Sequence, residues 1–313
     1  PVISGLMCTL FGWRAVFVVP LVGGIAVAAA GVKLVQNVGE RSNTTLDILS
    51  VVLLAAGITA FVYSVGEFST NLTTGIATLF AAVVLLGLFA ARQLKLEHPV
   101  LNVRPMASVR FWPACLLVVV SMMTTFSMSV LLPLYFEGAY GMTALVAGLL
   151  ILPAIACNAV TSIVGGRVMD ARGAWPLLPV GFALIAVGQT AISMTAASMN
   201  IGVVVALTVA VYAGVGLVLS PSQTAGLETL PAAEHPHGTA LLNTWNMIAA
   251  SFGPSLFIGL LSSSAATADA AGAATDVAQA IGFAAAVRVA AVIAVVGFVA
   301  SLVYARRESH MSH

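Results

Sequence analysis

Three asparagines lie inside long apolar stretches of the sequence, where a side-chain amide must find a partner. Asn243 and Asn246 lie three residues apart, a spacing that places both side chains on one face of a helix. Asn158 and Asn246 each lie roughly 9 Å from an end of their stretch, at the rise per residue of an α-helix. A buried amide is unfavourable unless it is hydrogen-bonded. The pattern predicts either the polar lining of a central cavity or hydrogen bonds between packed helices.

Met122 and Phe126 are further candidates for the wall of such a cavity. They lie four residues apart in one apolar stretch and would share a helix face. Methionine side chains are flexible and can repack around unlike ligands. The alternative is that both side chains face lipid or neighbouring helices.

Membrane helices are the elements that must position these residues, as the composition shows. The 313 residues include 12 Lys+Arg and 11 Asp+Glu, so 7% are charged while 60% are hydrophobic. The mean hydropathy is +1.07. A soluble domain is about 25% charged. The composition therefore argues against a soluble enzyme, a nucleic-acid-binding protein and a disordered chain.

Stretches that are nearly free of charge predict nine membrane-spanning helices, with residues 1–10 as the end of a tenth. A span needs about 20 apolar residues, and these stretches lack the alternation of a membrane barrel. We therefore predict an all-α integral membrane bundle. The predicted spans are 13–34, 47–66, 72–92, 112–136, 143–164, 176–197, 201–223, 239–262 and 281–305. Within the 239–262 span, Gly253 and Pro254 predict a kink, because proline removes a backbone hydrogen bond.

The basic residues predict how the spans are oriented. This set of spans places all of them on one side of the membrane except Arg14 and Arg288. Loops rich in Lys and Arg remain in the cytoplasm. We therefore expect the tail 306–313 to be cytoplasmic.

Several short motifs occur in a fixed order along the chain. They are Pro-Val-Ile-Ser-Gly at 1–5, Gly-Trp-Arg-Ala-Val-Phe at 12–17, three proline-containing runs at 99–105, 132–136 and 147–153, and Gly-Arg-Val-Met-Asp-Ala-Arg-Gly at 166–173. In this order the chain resembles the major facilitator superfamily, in particular the 14-helix drug:proton antiporter family of bacterial multidrug exporters. The resemblance runs from the end of the fifth helix to the fourteenth.

The resemblance implies a division of the chain into four parts. Residues 1–34 would close the N-terminal bundle, and 35–111 would hold inner loops and an inserted hairpin made of the 47–66 and 72–92 spans. Residues 112–305 would form the C-terminal six-helix bundle, followed by the tail 306–313. Six helices are half of a transporter built from three-plus-three repeats. By this resemblance about the first four helices are missing from the sequence, and function would require them.

The resemblance also suggests a gating loop between the 143–164 and 176–197 spans, formed by Gly166, Asp170, Arg172 and Gly173. Asp170 could pair with Arg172 or lie near the start of the next helix, whose dipole favours an anion. The glycines would permit tight turns. Such a contact would form in one access state and break in the other. The alternative is an ordinary polar turn.

The function expected from the resemblance is proton-coupled export of drugs or other amphiphilic small molecules across a bacterial plasma membrane, by alternating access. The alternatives are a permease for one metabolite or antibiotic, and a membrane scaffold or sensor that transports nothing. We expect no enzyme activity, no catalytic residue, no metal and no cofactor other than the coupling proton. The acids Asp47, Glu67 and Glu137 lie near span ends, so no proton-coupling residue is assigned. The expected partners are a small-molecule substrate and the lipid bilayer, without nucleic acid.

Overall fold

The computed structural model of the protein describes residues 2–34, 47–67, 71–96, 99–109, 111–175 and 177–309. The predicted inner loop at 35–46 and the last residues of the predicted tail, 310–313, lie outside the described residues. Following the predicted orientation, we call the side of the bundle that holds Leu96 and Gly173 the inner side and the opposite side the outer side.

The described residues form ten α-helices and no strand. The helices are α1 (Val2–Phe11), α2 (Val18–Leu34), α3 (Ile48–Glu67), α4 (Leu72–Lys95), α5 (Phe111–Tyr140), α6 (Ala144–Arg172), α7 (Leu177–Thr195), α8 (Ile201–Glu228), α9 (His235–Ala270) and α10 (Thr275–Ser309). Nine stretches of this part of the chain are long and apolar enough to cross a membrane: α3 to α10, and α2 with the 3-10 turn before it. The predicted all-α fold with nine spans is confirmed.

Short, capped turns reverse the chain between spans. At the outer turn between α7 and α8, Met199 adopts a left-handed conformation with φ of 53°. The side chain of Asn200 then accepts a hydrogen bond of 3.2 Å from a backbone N–H in the first turn of α8. Asn71 caps α4 in the same way. Such caps satisfy backbone donors that the helix itself cannot pair.

Between the last two predicted spans, the segment 263–280 has the Ser-, Ala- and Gly-rich composition of a flexible linker. That interpretation is wrong, because most of the segment is helical. α9 continues to Ala270 and α10 begins at Thr275, which leaves a turn of four residues that includes Gly272 with φ of 89°. The many alanines in this segment favour helix. Its hydroxyl groups also bond within the helix, as Thr267 does to the carbonyl of Ser263 at 2.8 Å. A Ser- and Ala-rich composition did not distinguish a linker from a polar helix end.

Six helices, α5 to α10, pack as a bundle with α5 near its centre. α5 contacts α8, α9 and α10, while α7 packs between α8 and α10 and α6 packs mainly on α8. The α3–α4 hairpin lies outside this bundle with α3 against α9, and α1 lies against α6. No described side chain of α2 is buried.

A glycine allows the close crossing of α6 and α8. A Cβ atom at Gly216 would collide with Thr161 Oγ1 and lie 2.7 Å from the carbonyl oxygen of Asn158. Membrane helices associate through such close contacts, because lipid provides no hydrophobic driving force between them. Replacement of Gly216 by a larger residue would therefore separate the two helices.

The main hydrophobic core lies within the six-helix bundle, and a second core joins the hairpin to the bundle on the inner side. We call this group the inner cluster. Its buried members are Phe89, Leu101, Phe111, Cys115, Val118, Leu230, Leu241 and Leu242, with Leu53, Leu54 and Trp245 among the side chains packed against them. It therefore connects α3, α4, α5 and α9 with the loop at 99–109.

Candidate functional site

The exposed side of α9 carries a row of polar side chains, and α9 has the lowest hydropathy of the described spans. We define the α9 polar face as Thr239, Asn243, Met247 and Ser251, which are exposed and lie four residues apart. The most apolar 18-residue window of α9 has a mean hydropathy of 1.4, against 2.4 for α8 and α10. A helix side that faced only lipid would be expected to be apolar throughout.

The hydroxyl groups of this face bond to their own helix. Thr239 donates to the carbonyl of His235 at 2.9 Å, and Ser251 donates to that of Met247 at 3.0 Å. Each hydroxyl can still accept a hydrogen bond. The α9 polar face can therefore lie in an apolar environment and still offer acceptors to a ligand or to water.

Asn246 lies at the edge of this face. Its side-chain oxygen is buried and makes no hydrogen bond to any described residue. A buried, unpaired carbonyl is unfavourable by about 1–3 kcal/mol. Asn243, one turn earlier, is exposed. Two of the three predicted cavity amides therefore share one region of α9, and neither bonds a described residue of another helix as Asn158 does.

Asn158 belongs to a different contact. Its side-chain NH₂ donates to the carbonyl of Tyr212 in α8 at 3.0 Å, beside the close crossing at Gly216. In this structure the amide joins two helices, which was the alternative to cavity lining. The structure does not bring Asn158 together with the amides of α9.

Met122 and Phe126 lie on α5, next to α9. Both are half-buried, and Met122 packs against the main core. A Cβ at Gly253 of α9 would lie 3.9 Å from the Cβ of Phe126. Phe126 of α5 therefore lies directly against α9 at Gly253. α9 runs without interruption through Pro254, and the kink stays a prediction.

The predicted gating loop is largely helical. α6 continues to Arg172, so Gly166 lies inside the helix, and the prediction that it forms a turn is wrong. Gly173 does end the helix with φ of 73°, and its N–H donates to the carbonyl of Met169 at 2.8 Å. Asp170 and Arg172 are exposed and do not pair with each other, because residues two apart on a helix face in different directions. A state-dependent latch at Asp170 stays a prediction.

The ion pair of the described residues lies instead at the inner end of the hairpin, where the sequence had not suggested a site. Arg92 Nε and Nη2 donate to the two carboxylate oxygens of Asp47 at 2.7 and 3.0 Å. The Ser50 hydroxyl donates to the same carboxylate at 2.5 Å. The guanidinium and then the hydroxyl hold the pKa of Asp47 well below its usual value. The sequence did contain a signal for this pair, because Asp47 precedes α3 and Arg92 lies near the end of α4.

A buried glutamine extends this network to the following loop. Gln93 donates to Ser50 Oγ at 2.6 Å and accepts from the backbone N–H of Leu101 at 3.1 Å. Further along, Met106 accepts a hydrogen bond of 3.4 Å from the indole of Trp245 in α9. On the same side of α9, Phe61 of α3 stacks on Phe252, with ring centroids 5.6 Å apart. The hairpin and its loop therefore hold α9 at two levels.

The described residues offer no arrangement for a metal. No three His, Cys, Asp or Glu side chains in this part of the chain lie close enough to bind one ion together. The chemistry available at α9 is hydrogen bonding and apolar contact, which suits the binding of a small molecule.

Comparison with known proteins identifies the group to which this architecture belongs. A family model described as the Major Facilitator Superfamily matches residues 1–254. The chain belongs to the Major Facilitator Superfamily. It is thus a multi-pass membrane protein of a transporter family and not an enzyme, as the motifs suggested.

Its relatives within the superfamily include two named for antibiotic resistance. The chain is 31% identical over 265 residues to the lincomycin resistance protein LmrB of Listeria monocytogenes, covering 84% of this chain and 56% of that protein. It is 30% identical over 267 residues to LmrB of Bacillus subtilis, with 83% and 56% covered. The MFS-type transporter YcnB of Bacillus subtilis is 32% identical over 306 residues, with 96% and 64% covered. The chain therefore spans between half and two thirds of the length of these relatives.

Proposed function

We propose that this chain is part of an exporter of amphiphilic small molecules, and that the α9 polar face lines the path of the substrate. The observation that carries the proposal is the exposed row of Asn243, Met247 and Ser251 on a membrane-spanning helix. The row combines an amide, a thioether and a hydroxyl, and so offers both polar and adaptable apolar contacts. The two relatives named for lincomycin resistance support a drug as the substrate.

The exposed side of α10 supports this interpretation by contrast. Its most exposed large side chains are Val292, Val296, Val299 and Val303, which suit contact with lipid. Two helices of one bundle thus expose opposite kinds of surface. In a transporter with two bundles, the polar one would face the second bundle across a central cavity.

We further propose that an inward flow of protons drives export. The described spans carry no acid at mid-membrane depth, where an ionisable group would be the default coupling residue. The coupling acid would therefore lie outside these spans, in the part of the longer relatives that this sequence does not match. Addition of a protonophore to cells that express a transporter of full length should then abolish export, and continued export would contradict coupling.

The test of the substrate path compares α9 with α7. In a transporter of full length, Asn243→Leu and Ser251→Val should each reduce efflux of lincomycin and of cationic amphiphiles by about threefold to tenfold, the effect of one lost hydrogen bond. Thr190→Val is the matched control, because Thr190 is also exposed and its hydroxyl also bonds one turn back, to Ala186 at 2.7 Å. Equal losses in all three variants would contradict the proposal, and efflux of one compound alone would indicate a narrow permease.

The proposed location is the bacterial plasma membrane with a cytoplasmic C-terminus. Ala271, in the outer turn, and Ala107, in the inner loop, are both exposed. Cysteine at 271 should react with an impermeant thiol reagent in intact cells, and cysteine at 107 should not, on a background without Cys8, Cys115 and Cys157. The reverse pattern would overturn this orientation.

A further inference from the structure

A groove runs along α4 at its inner end, away from the α9 polar face. It has a cavity volume of about 280 Å³ and is lined by Leu88, Ala91, Arg92, Lys95 and Leu96. That volume is just below the range of about 300–1,000 Å³ that is typical of small-molecule sites. The groove thus joins a strip of apolar side chains to two cations.

The apolar part of the groove lies on the lipid-accessible side of the hairpin. α4 packs on α3, and Leu88 on its other side is 54% exposed. The most apolar window of α4 has a mean hydropathy of 2.2. This side of α4 is therefore suited to acyl chains, unlike the α9 polar face.

The cationic part keeps a net positive charge after its ion pair is counted. Asp47 occupies the guanidinium edge formed by Nε and Nη2 of Arg92, so the edge that carries Nη1 points away from that carboxylate. Lys95 is exposed and forms no ion pair with any described residue. Arg104 adds a further cation close by, where its Nη2 donates to the carbonyl of Leu94 at 3.4 Å. The described residues thus place three cations and one acid at this end of α4.

We propose that this groove binds one anionic phospholipid from the leaflet on the inner side. The ammonium of Lys95 and the outer edge of the Arg92 guanidinium would bond the headgroup phosphate, and an acyl chain would lie along Leu88 and Ala91. Basic groups at the end of a membrane helix attract anionic lipid headgroups, and arginine binds phosphate through two parallel N–H groups. The ion pair with Asp47 fixes the guanidinium, so that little rotamer freedom is lost on binding. The proposal does not depend on what the protein transports.

Native mass spectrometry of the chain in detergent tests this inference. Titration with phosphatidylglycerol should produce one saturable adduct at a lower concentration than phosphatidylethanolamine, whose headgroup has no net charge. Lys95→Gln should raise the concentration for half-saturation about fivefold, the effect of one cation near a lipid headgroup. Arg167→Gln is the matched control, because Arg167 is also an exposed cation at the inner end of its helix, α6, outside the groove.

Other occupants of the groove would give different results. Equal retention of phosphatidylglycerol and phosphatidylethanolamine would overturn the proposal. An equal loss of phosphatidylglycerol binding in Lys95→Gln and Arg167→Gln would also overturn it. Displacement of phosphatidylglycerol by inorganic phosphate at similar concentrations would identify a phosphate site without a lipid. A dimer that Lys95→Gln dissociates, without any change in lipid binding, would show that a second copy covers the groove. A Leu88→Ser variant should weaken the adduct while retaining both cations, which separates loss of the acyl contact from loss of charge.

Discussion

The inner ends of α4 and α6 both carry acid and arginine side chains, but the two ends are built differently. On the hairpin, Asp47 is 17% exposed and bonds Arg92 through two hydrogen bonds, and Gln93 links this pair to the next loop. On α6, Asp170 and Arg172 are two residues apart, exposed and unpaired with each other.

This difference separates a fixed contact from one that can change. Asp47 and Arg92 lie on helices that pack against each other, so their pairing follows from the formation of the hairpin. Asp170 and Arg172 face away from each other on one helix, and each can only pair with a group from elsewhere. Groups of the second kind are the ones available for a contact that forms in one access state and breaks in the other.

The largest expected effect is on transport. In a transporter of full length, Asp170→Asn should lower export about fivefold or more, since coupling between conformational states is worth about 1–3 kcal/mol. Its abundance in the membrane should not change, because an exposed substitution alters stability by about 0.5 kcal/mol or less. Efflux assays with quantification of the membrane protein measure both quantities.

Asp170→Glu, which keeps the charge, is the control and should retain more export than Asp170→Asn. Normal export by the asparagine variant would remove the difference between the two inner ends and leave Asp170 as an ordinary polar residue.

The next largest expected effect is a loss of stability when the hydrogen bonds of the hairpin are changed. Gln93→Leu would leave the N–H of Leu101 without its partner in a buried position. We expect a loss of about 1–3 kcal/mol in the free energy of unfolding. Tryptophan fluorescence during denaturation in micelles measures this loss. Asp170→Asn in the same assay is the matched control. If the two variants were equally stable, the network around Gln93 would not be a structural tether.

The smallest and most specific expected effect is a pH dependence of the stability that Asp47 contributes. Because Arg92 and Ser50 lower the pKa of Asp47, the ionised carboxylate stabilises the fold above its unfolded pKa of about 3.9. That stabilisation is lost as the pH falls through the lower folded value. The difference in unfolding temperature between wild type and Asp47→Asn should therefore be constant from about pH 5 to 8 and shrink below about pH 4.

Arg92→Gln provides the control for this acid dependence, because it removes the main cause of the lowered pKa. The unfolding temperatures of wild type and Arg92→Gln should also differ from about pH 5 to 8, and this difference should shrink below about pH 4. A difference from Asp47→Asn that persisted unchanged at pH 3 would show that the carboxylate charge is not what matters at this position.

Much of the fold could be predicted from the sequence, since hydropathy and length are local properties. The nine spans were of this kind, and so was the short interval between the 176–197 and 201–223 spans. The lengths of α6 and α9 were underestimated, because polar residues such as Asp170 and Thr267 extend a membrane helix beyond the hydrocarbon without ending it. Helix ends depend on backbone conformation, as at Gly173, which composition alone does not report.

The candidate site could be predicted only in part. Asn243 and Asn246 do share one region of α9, because a spacing of three is enough to place them there. The partner of Asn158 could not be predicted, since Tyr212 lies on a helix that is distant along the sequence. The same holds for Asp47 and Arg92, which belong to different helices.

The sequence by itself therefore determined that this chain is a helical membrane protein, because transfer of each apolar segment into lipid depends only on the residues of that segment. The tertiary structure decided which polar side chains meet. Hydrogen bonds and ion pairs act over about 3 Å, so they depend on which helices are neighbours. At Gly216 and along the hairpin, that neighbourhood comes from the packing of side chains far apart in the sequence. The same packing left the α9 polar face exposed.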